Sequence, residues 1–127
     1  MLLKEERLDG VHPDLVGVIK LAATFAPFDL LVLEGLRNKD RQKMLVKRGS
    51  SKTMNSRHLM QKCGYGCAAD IAPMLEGIVS WHWPDYHKLA PVVKKVAKGL
   101  EIPVEWGGDW KSFADGPHWQ LPWSEYE

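Results

Sequence analysis

The spacing of apolar residues along the chain predicts most of its elements. Leu15, Val18, Ile19 and Ala22 recur at i, i+3, i+4 and i+7, so residues 13–25 read as an amphipathic helix, and Pro13 with Asp14 suits its first turn. Pro27 ends that pattern. Leu30-Leu31-Val32-Leu33 is a short apolar run within residues 29–34, bounded by turn signals, which predicts a buried strand closed by Gly35. Residues 38–48 then read as a polar helix, capped by Asn38 or Asp40 and stopped at Gly49.

Residues 49–55 are small and polar and read as a loop. The stretch from Ser56 to Tyr65 has no clear period, with Gly64 and Gly66 at its end. Residues 67–72 predict a strand stopped by Pro73, and residues 78–81 another short one. A second amphipathic helix spans 86–98. Leu89, Val92, Val93, Val96, Ala97 and Leu100 form its apolar stripe, and Lys88, Lys94, Lys95 and Lys98 lie off it. Pro91 inside that span implies a kink or a later start, and Gly99 supplies a stop. The last strands are 104–106 and 118–121, separated by a loop over 107–117. Helices and short strands that do not alternate regularly point to an α+β fold.

Composition narrows the function classes. A chain of 127 residues suits one domain, with room for one core and little else. Net charge is +1, from 17 basic and 16 acidic residues, which gives no electrostatic case for nucleic acid or an anionic membrane surface. Any polymer partner must be recognised by shape and specific contacts. Met1-Leu2-Leu3 runs straight into Lys4-Glu5-Glu6-Arg7, so no apolar core of a secretory signal is expected. No apolar stretch approaches the roughly 20 residues a spanning helix needs. The expectation is therefore soluble synthesis in a cytoplasm, no stable membrane insertion, and a monomer. Cys63 and Cys67 form a lone C-x3-C, which is open to metal ligation, a local disulfide, or ordinary packing as small residues. Trp106, Trp110, Trp119 and Trp123 crowd the C-terminal end, which either builds the core or walls a groove.

Of the five histidines, His12 before Pro13 and His87 on the charged side of its helix read as structural or solvated. His82, between Trp81 and Trp83, reads as loop packing. His58 and His118 have more suggestive neighbours. Asp70 ends the small-residue run Gly66-Cys67-Ala68-Ala69, where a backbone can approach an ion closely, and Asp115 stands three residues before His118 in a segment stiffened by Pro117. Catalytic zinc takes three ligands from His, Asp or Glu and keeps a fourth position for water, with a carboxylate nearby to accept the water's proton. Two histidines and two aspartates can meet that need. They lie too far apart in sequence for a local-helix motif such as H-E-x-x-H, so spacing alone leaves the reading open.

Ser56-x-His58 followed by Gly66-x-Ala68-x-Asp70 resembles the S-x-H-x-x-G-x-A-x-D signature of the M15 metallopeptidases. That family includes D-Ala-D-Ala carboxypeptidases and dipeptidases and the L-alanyl-D-glutamate endopeptidases of bacteriophages. Glu105-Trp106-Gly107-Gly108-Asp109-Trp110 and Asp115-Gly116-Pro117-His118-Trp119-Gln120-Leu121 are similar to the C-terminal block of the phage branch, and Glu34-Gly35-Leu36-Arg37 with Arg41-Gln42 to its arginine segment. One departure stands out: seven residues, Leu59 to Tyr65, lie between His58 and Gly66 where the signature has two. The insertion is either a surface excursion that leaves His58 and Asp70 in place or a change in the groove.

The resemblance implies a small single α+β catalytic domain over 1–127, with no separate wall-binding domain, a short, mainly antiparallel sheet, two to three packed helices and a zinc site. His58, Asp70 and His118 would be the zinc ligands, and Asp115 the general base, with Glu105 its competitor. Arg37 would face a substrate carbonyl or carboxylate and oppose developing charge. Ser56, Gln42 and Trp119 would contact substrate, and Trp106 and Trp110 either line the groove or pack the core. The implied activity is hydrolysis of the L-alanyl–D-glutamate bond in a bacterial peptidoglycan stem peptide by a phage or prophage endolysin. Such an enzyme would be made in the host cytoplasm and reach the wall after membrane permeabilisation. Two other readings keep the site: a D-Ala-D-Ala carboxypeptidase or dipeptidase, and a catalytically silent zinc-stabilised binding module.

Overall fold

The computed structural model describes residues 1–51 and 53–127. In chain order the elements are β1 (Leu2–Leu3), α1 (Pro13–Phe25), β2 (Asp29–Glu34), α2 (Lys39–Lys47), β3 (Ala68–Leu75), β4 (Ile78–Val79), α3 (Trp83–Gly99), β5 (Glu105–Trp106) and β6 (His118–Gln120). Single 3-10 turns occur at Glu5–Leu8 and Gly107–Asp109. The strands form one sheet in the order β1-β2-β3-β6-β5, with β4 pairing to the far end of β3. Among the described strands only β1 and β2 run parallel, so the sheet is mixed but mainly antiparallel.

Because side chains alternate along a strand, this sheet has two different faces. Leu30 stands opposite Pro73, Val32 opposite Ile71, Ala69 opposite Trp119 and Trp119 opposite Trp106, and these form the core face. The apolar stripes of α1 (Leu15, Val18, Ile19, Ala22) and α3 (Leu89, Val93) belong to the same buried cluster. Each fully buried aliphatic side chain there contributes about 1.5–3 kcal/mol. The opposite face carries Asp70 and His118, a directly paired couple. A bulge between Val32 and Glu34 shifts the register by one residue, so Glu34 pairs with Asp70 instead of continuing the Val32 face.

Both helical periodicities correspond to helices, with differences at their ends. Asn38 caps α2, its side-chain oxygen accepting from the Arg41 amide at 2.7 Å. The helix read from Tyr86 starts earlier, at Trp83, with Pro84 in its first turn, where a missing amide hydrogen is harmless. It also runs through Pro91. Pro91 and His87, whose carbonyl loses its helix partner, are both exposed, so water can serve that oxygen. Gly99 is not the stop: Leu100 caps the helix, Glu101 takes the left-handed turn at φ 59°, and Leu100 leaves the apolar stripe for solvent.

The strand read over 67–72 does not end at Pro73 but continues to Leu75. The Pro73 carbonyl accepts from the Ser80 amide on the β4 side, so its ring nitrogen also faces that side and no bond to β2 is lost. β1 was not legible at all, since two residues carry no period. The loop read over 49–55 is irregular at its described positions, and Lys52 lies outside the described residues. Among the described residues no helix is long and apolar enough to cross a membrane.

Two glycines test this packing in opposite directions. A Cβ on Gly35, just after β2, would run into the Arg7 carbonyl oxygen and press on Val11, whereas one on Gly17 in α1 would meet nothing. Gly35→Ala should cost about 1–3 kcal/mol or more, and Gly17→Ala should stabilise by about 0.5–1 kcal/mol, as read from chemical denaturation midpoints.

Candidate metal centre

Three side chains converge on the open face of the sheet. Asp70 projects from β3 and His118 from the neighbouring β6, while His58 arrives on the irregular segment after α2. His58 Nε2 and His118 Nδ1 each lie 3.3 Å from Asp70 Oδ1. One ligand atom from each residue falls within 4.8 Å of the other two. Asp70 Oδ1 is buried and accepts no hydrogen bond. A buried carboxylate oxygen without a donor is costly, and a cation among two imidazole nitrogens and a carboxylate removes that cost. The donor set therefore fits a divalent metal ion.

The imidazoles are held so that the right nitrogens face inward. His58 Nδ1 donates to the Gly35 carbonyl at 2.9 Å, leaving Nε2 as a ligand atom. His118 Nε2 donates to Gln120 Oε1 at 2.8 Å, leaving Nδ1. Gln120 in turn donates to Glu105 at 3.0 Å. Glu105, the competing base, is thus committed to the support of His118, and it does not line the cavity. Burial alone would raise the Asp70 pKa, but the two histidines outweigh it and hold the carboxyl well below the usual range. Burial would lower His118, but the Asp70 carboxylate outweighs it and raises the imidazole above its ordinary value.

His58, Asp70 and His118 open onto a cavity of about 850 Å³. Asp115 lines it, on the turn whose carbonyl accepts from the His118 amide at 3.2 Å. Its pKa is raised first by burial and then by the Asp70 charge, with His118, His58 and Arg37 pulling the other way. Arg37 also lines the cavity, gripped by Glu34 through its Nε and by Gln42 Oε1 at 2.8 Å. Ser56 lines it too, its hydroxyl accepting from the His58 amide at 3.1 Å.

Two expected substrate contacts lie elsewhere. Trp119 faces the core, fully buried and stacked on Trp106, because strand alternation sends it away from its neighbours His118 and Gln120. Gln42 is fully buried, and donates to Ser51 Oγ at 2.8 Å and the Thr53 carbonyl at 2.5 Å while holding Arg37. It positions the arginine and does not line the cavity. Of Trp106, Trp110 and Trp119, only Trp110 lines the groove, its ring 4.9 Å from that of His118.

The insertion from Leu59 to Tyr65 is a surface excursion. Gln61 and Tyr65 close it through a backbone bond of 2.9 Å, and none of its residues lines the cavity. Cys63 is exposed and Cys67 buried. Both thiols are free, with sulfurs 4.0 Å apart, and burial pushes the Cys67 thiol up to about 11.

Sequence reasoning missed Arg57. Its buried guanidinium donates to the carbonyls of Leu121 at 2.8 Å, Pro122 at 3.3 Å and Tyr126 at 2.8 Å and lies 4.2 Å from the Trp123 ring, tying the His58 segment to the C-terminal residues. No local pattern marks such a residue. Gln120 was missed as well, although period two along β6 puts it on the His118 side.

Comparison with known proteins matches residues 3–120 to the model of the phage L-alanyl-D-glutamate peptidase family. The L-alanyl-D-glutamate peptidase of Listeria phage A118 is 35% identical over 98 residues, 77% of this chain but only 32% of that protein, so the chain spans about a third of that relative's length. That of Escherichia phage T5 is 25% identical over 115 residues, covering 87% of this chain and 80% of the relative. Among solved structures, the Serratia marcescens L-Ala D-Glu endopeptidase ChiX superposes with a TM-score of 0.87 at 44% identity, over 98% of this chain and 92% of that one.

Two measurements check the centre. Gln120→Leu removes the acceptor that orients His118 and should weaken divalent-metal binding roughly 10- to 100-fold in a chelator competition assay. Metal must displace a proton from His118, so affinity should fall as pH drops through that raised pKa, with calorimetry detecting proton release on binding.

Proposed function

Because the chain belongs to the phage L-alanyl-D-glutamate peptidase family, we propose that it is a zinc-dependent endopeptidase that cuts the L-alanyl–D-glutamate bond of peptidoglycan stem peptides. The observation that carries this reading is the His58–Asp70–His118 cluster at a cavity that Asp115 and Arg37 also line. The likeness to the phage enzymes and to ChiX supports the choice of bond. Residues 1–127 are assigned to the catalytic domain, which acts as a monomer on the cell wall once the membrane has been opened.

Zinc held by His58, Asp70 and His118 would supply a Lewis acid for the scissile carbonyl and lower the pKa of nearby water. Asp115 accepts a proton from the water whose oxygen adds to the carbonyl carbon. When the C–N bond breaks, Asp115 returns that proton to the leaving amine of D-glutamate. Its raised pKa makes it a better proton acceptor than an ordinary surface aspartate. Arg37, fixed by Glu34 and Gln42, presents positive charge to the oxygen on which negative charge develops. Ser56 holds the His58 backbone in place.

The decisive variant is Asp115→Ala. It should reduce turnover by about 10²–10⁴-fold while zinc remains bound stoichiometrically, as mass spectrometry of digested peptidoglycan and metal analysis would report. Unchanged wall digestion by that variant would remove Asp115 from the mechanism. Fragments bearing a new D-glutamate amine, absent from a chelated control, are the expected product; loss of terminal D-alanine would instead identify a carboxypeptidase.

A further inference from the structure

We propose that the aromatic side of the groove is a subsite for the muramic acid sugar that carries the stem peptide. This deepens the reading above and rests on its scissile bond.

The sheet order gives the groove two chemically different sides. On the β2 side of Asp70 lie Glu34, Arg37 and Arg41, two cations against one carboxylate. On the β6 side lie Trp110 and Phe113, from the segment joining β5 to β6. Trp81 joins them. Met74 pairs with Asp29 of β2 across one edge of β3 and with Val79 of β4 across the other, so β4 and the Trp81 that follows lie on the β6 side. Trp81 is 66% exposed and Phe113 64% exposed, although both line the cavity. Large aromatic surfaces left in water beside a polar site do not serve the core, and mark a binding surface.

The substrate has the same polarity. Beyond the scissile bond, the leaving portion begins with D-glutamate and its free carboxylate. On the other side there is a single L-alanine, joined through a lactyl group to a neutral N-acetylated sugar ring. One residue spans at most about 3.6 Å, so alanine plus lactyl puts the sugar roughly 7 Å from the reacting carbonyl. The aromatic wall starts beside the metal cluster, since the Trp110 ring lies 4.9 Å from that of His118 and Trp81 and Phe113 line the same cavity. Carboxylates then lie toward Arg41, and the C–H face of the sugar lies on the rings of Trp81 and Phe113 with its hydroxyls in water.

The test compares initial rates on two soluble substrates by liquid chromatography and mass spectrometry. One is N-acetylmuramoyl-L-alanyl-γ-D-glutamyl-lysine, and the other is the same tripeptide with a simple N-acetyl cap. The zinc-loaded protein should favour the sugar-bearing substrate in kcat/KM by roughly three- to tenfold, mainly through KM. Trp81→Ala should bring that ratio close to one, and Trp81→Tyr should restore most of it. Equal rates on the two substrates, or a Trp81→Ala loss that is proportional on both, overturns the subsite while leaving the peptidase reading intact. Failure to cut between alanine and glutamate in either substrate overturns the peptidase reading and the subsite together.

Discussion

The structure depends on one strand belonging to two environments. β3 is paired on both edges, and its residues alternate between a core of aliphatic and indole packing and an open face holding charge. Ile71 and Ala69 point into the first, and Asp70 between them into the second. Both helical stripes, the stacked Trp106 and Trp119, and the histidine opposite Asp70 take their positions from that alternation. A one-residue slip would exchange core and site at once, so the register that buries the indoles is the register that assembles the ligands.

The polar parts around the centre form a connected support rather than a set of independent contacts. Glu105 holds Gln120, Gln120 holds His118, and His118 faces Asp70. On the other side, the Gly35 carbonyl holds His58, while Glu34 and Gln42 hold Arg37. The register shift at the end of β2 matters here. It lets Leu33 and Glu34 both line the groove, where regular alternation would send one of them to the core.

The sequence was most legible where its signals are periodic or locally encoded. The stripe in α1, the run in β2 and the Asn38 cap are local, and each appears where the pattern puts it. The joint presence of His58, Asp70 and His118 came from resemblance, since ligands separated by 12 and 48 positions have no local signature, yet the structure brings them together. What failed did so for reasons of context. Pro73 reads as a stop only if its amide is needed, and here it faces the hairpin side. Gln42 was expected to contact substrate, and its burial depends on an arginine and a loop that a helical period cannot reveal. Trp119 was expected at the groove on the resemblance, although strand geometry sends it to the opposite face from its neighbour His118.

The Arg57 cage also sets an order of events during synthesis. Its carbonyl partners lie 64 to 69 positions further along the chain, and His118 stands nearly as far from His58. Until residues 118–126 have been made, the His58 segment has neither its anchor nor the histidine that faces it across Asp70. That stretch must leave the exit tunnel before both are in place. A shorter nascent chain therefore lacks the assembled cluster, which waits for residues 121–126 to reach Arg57.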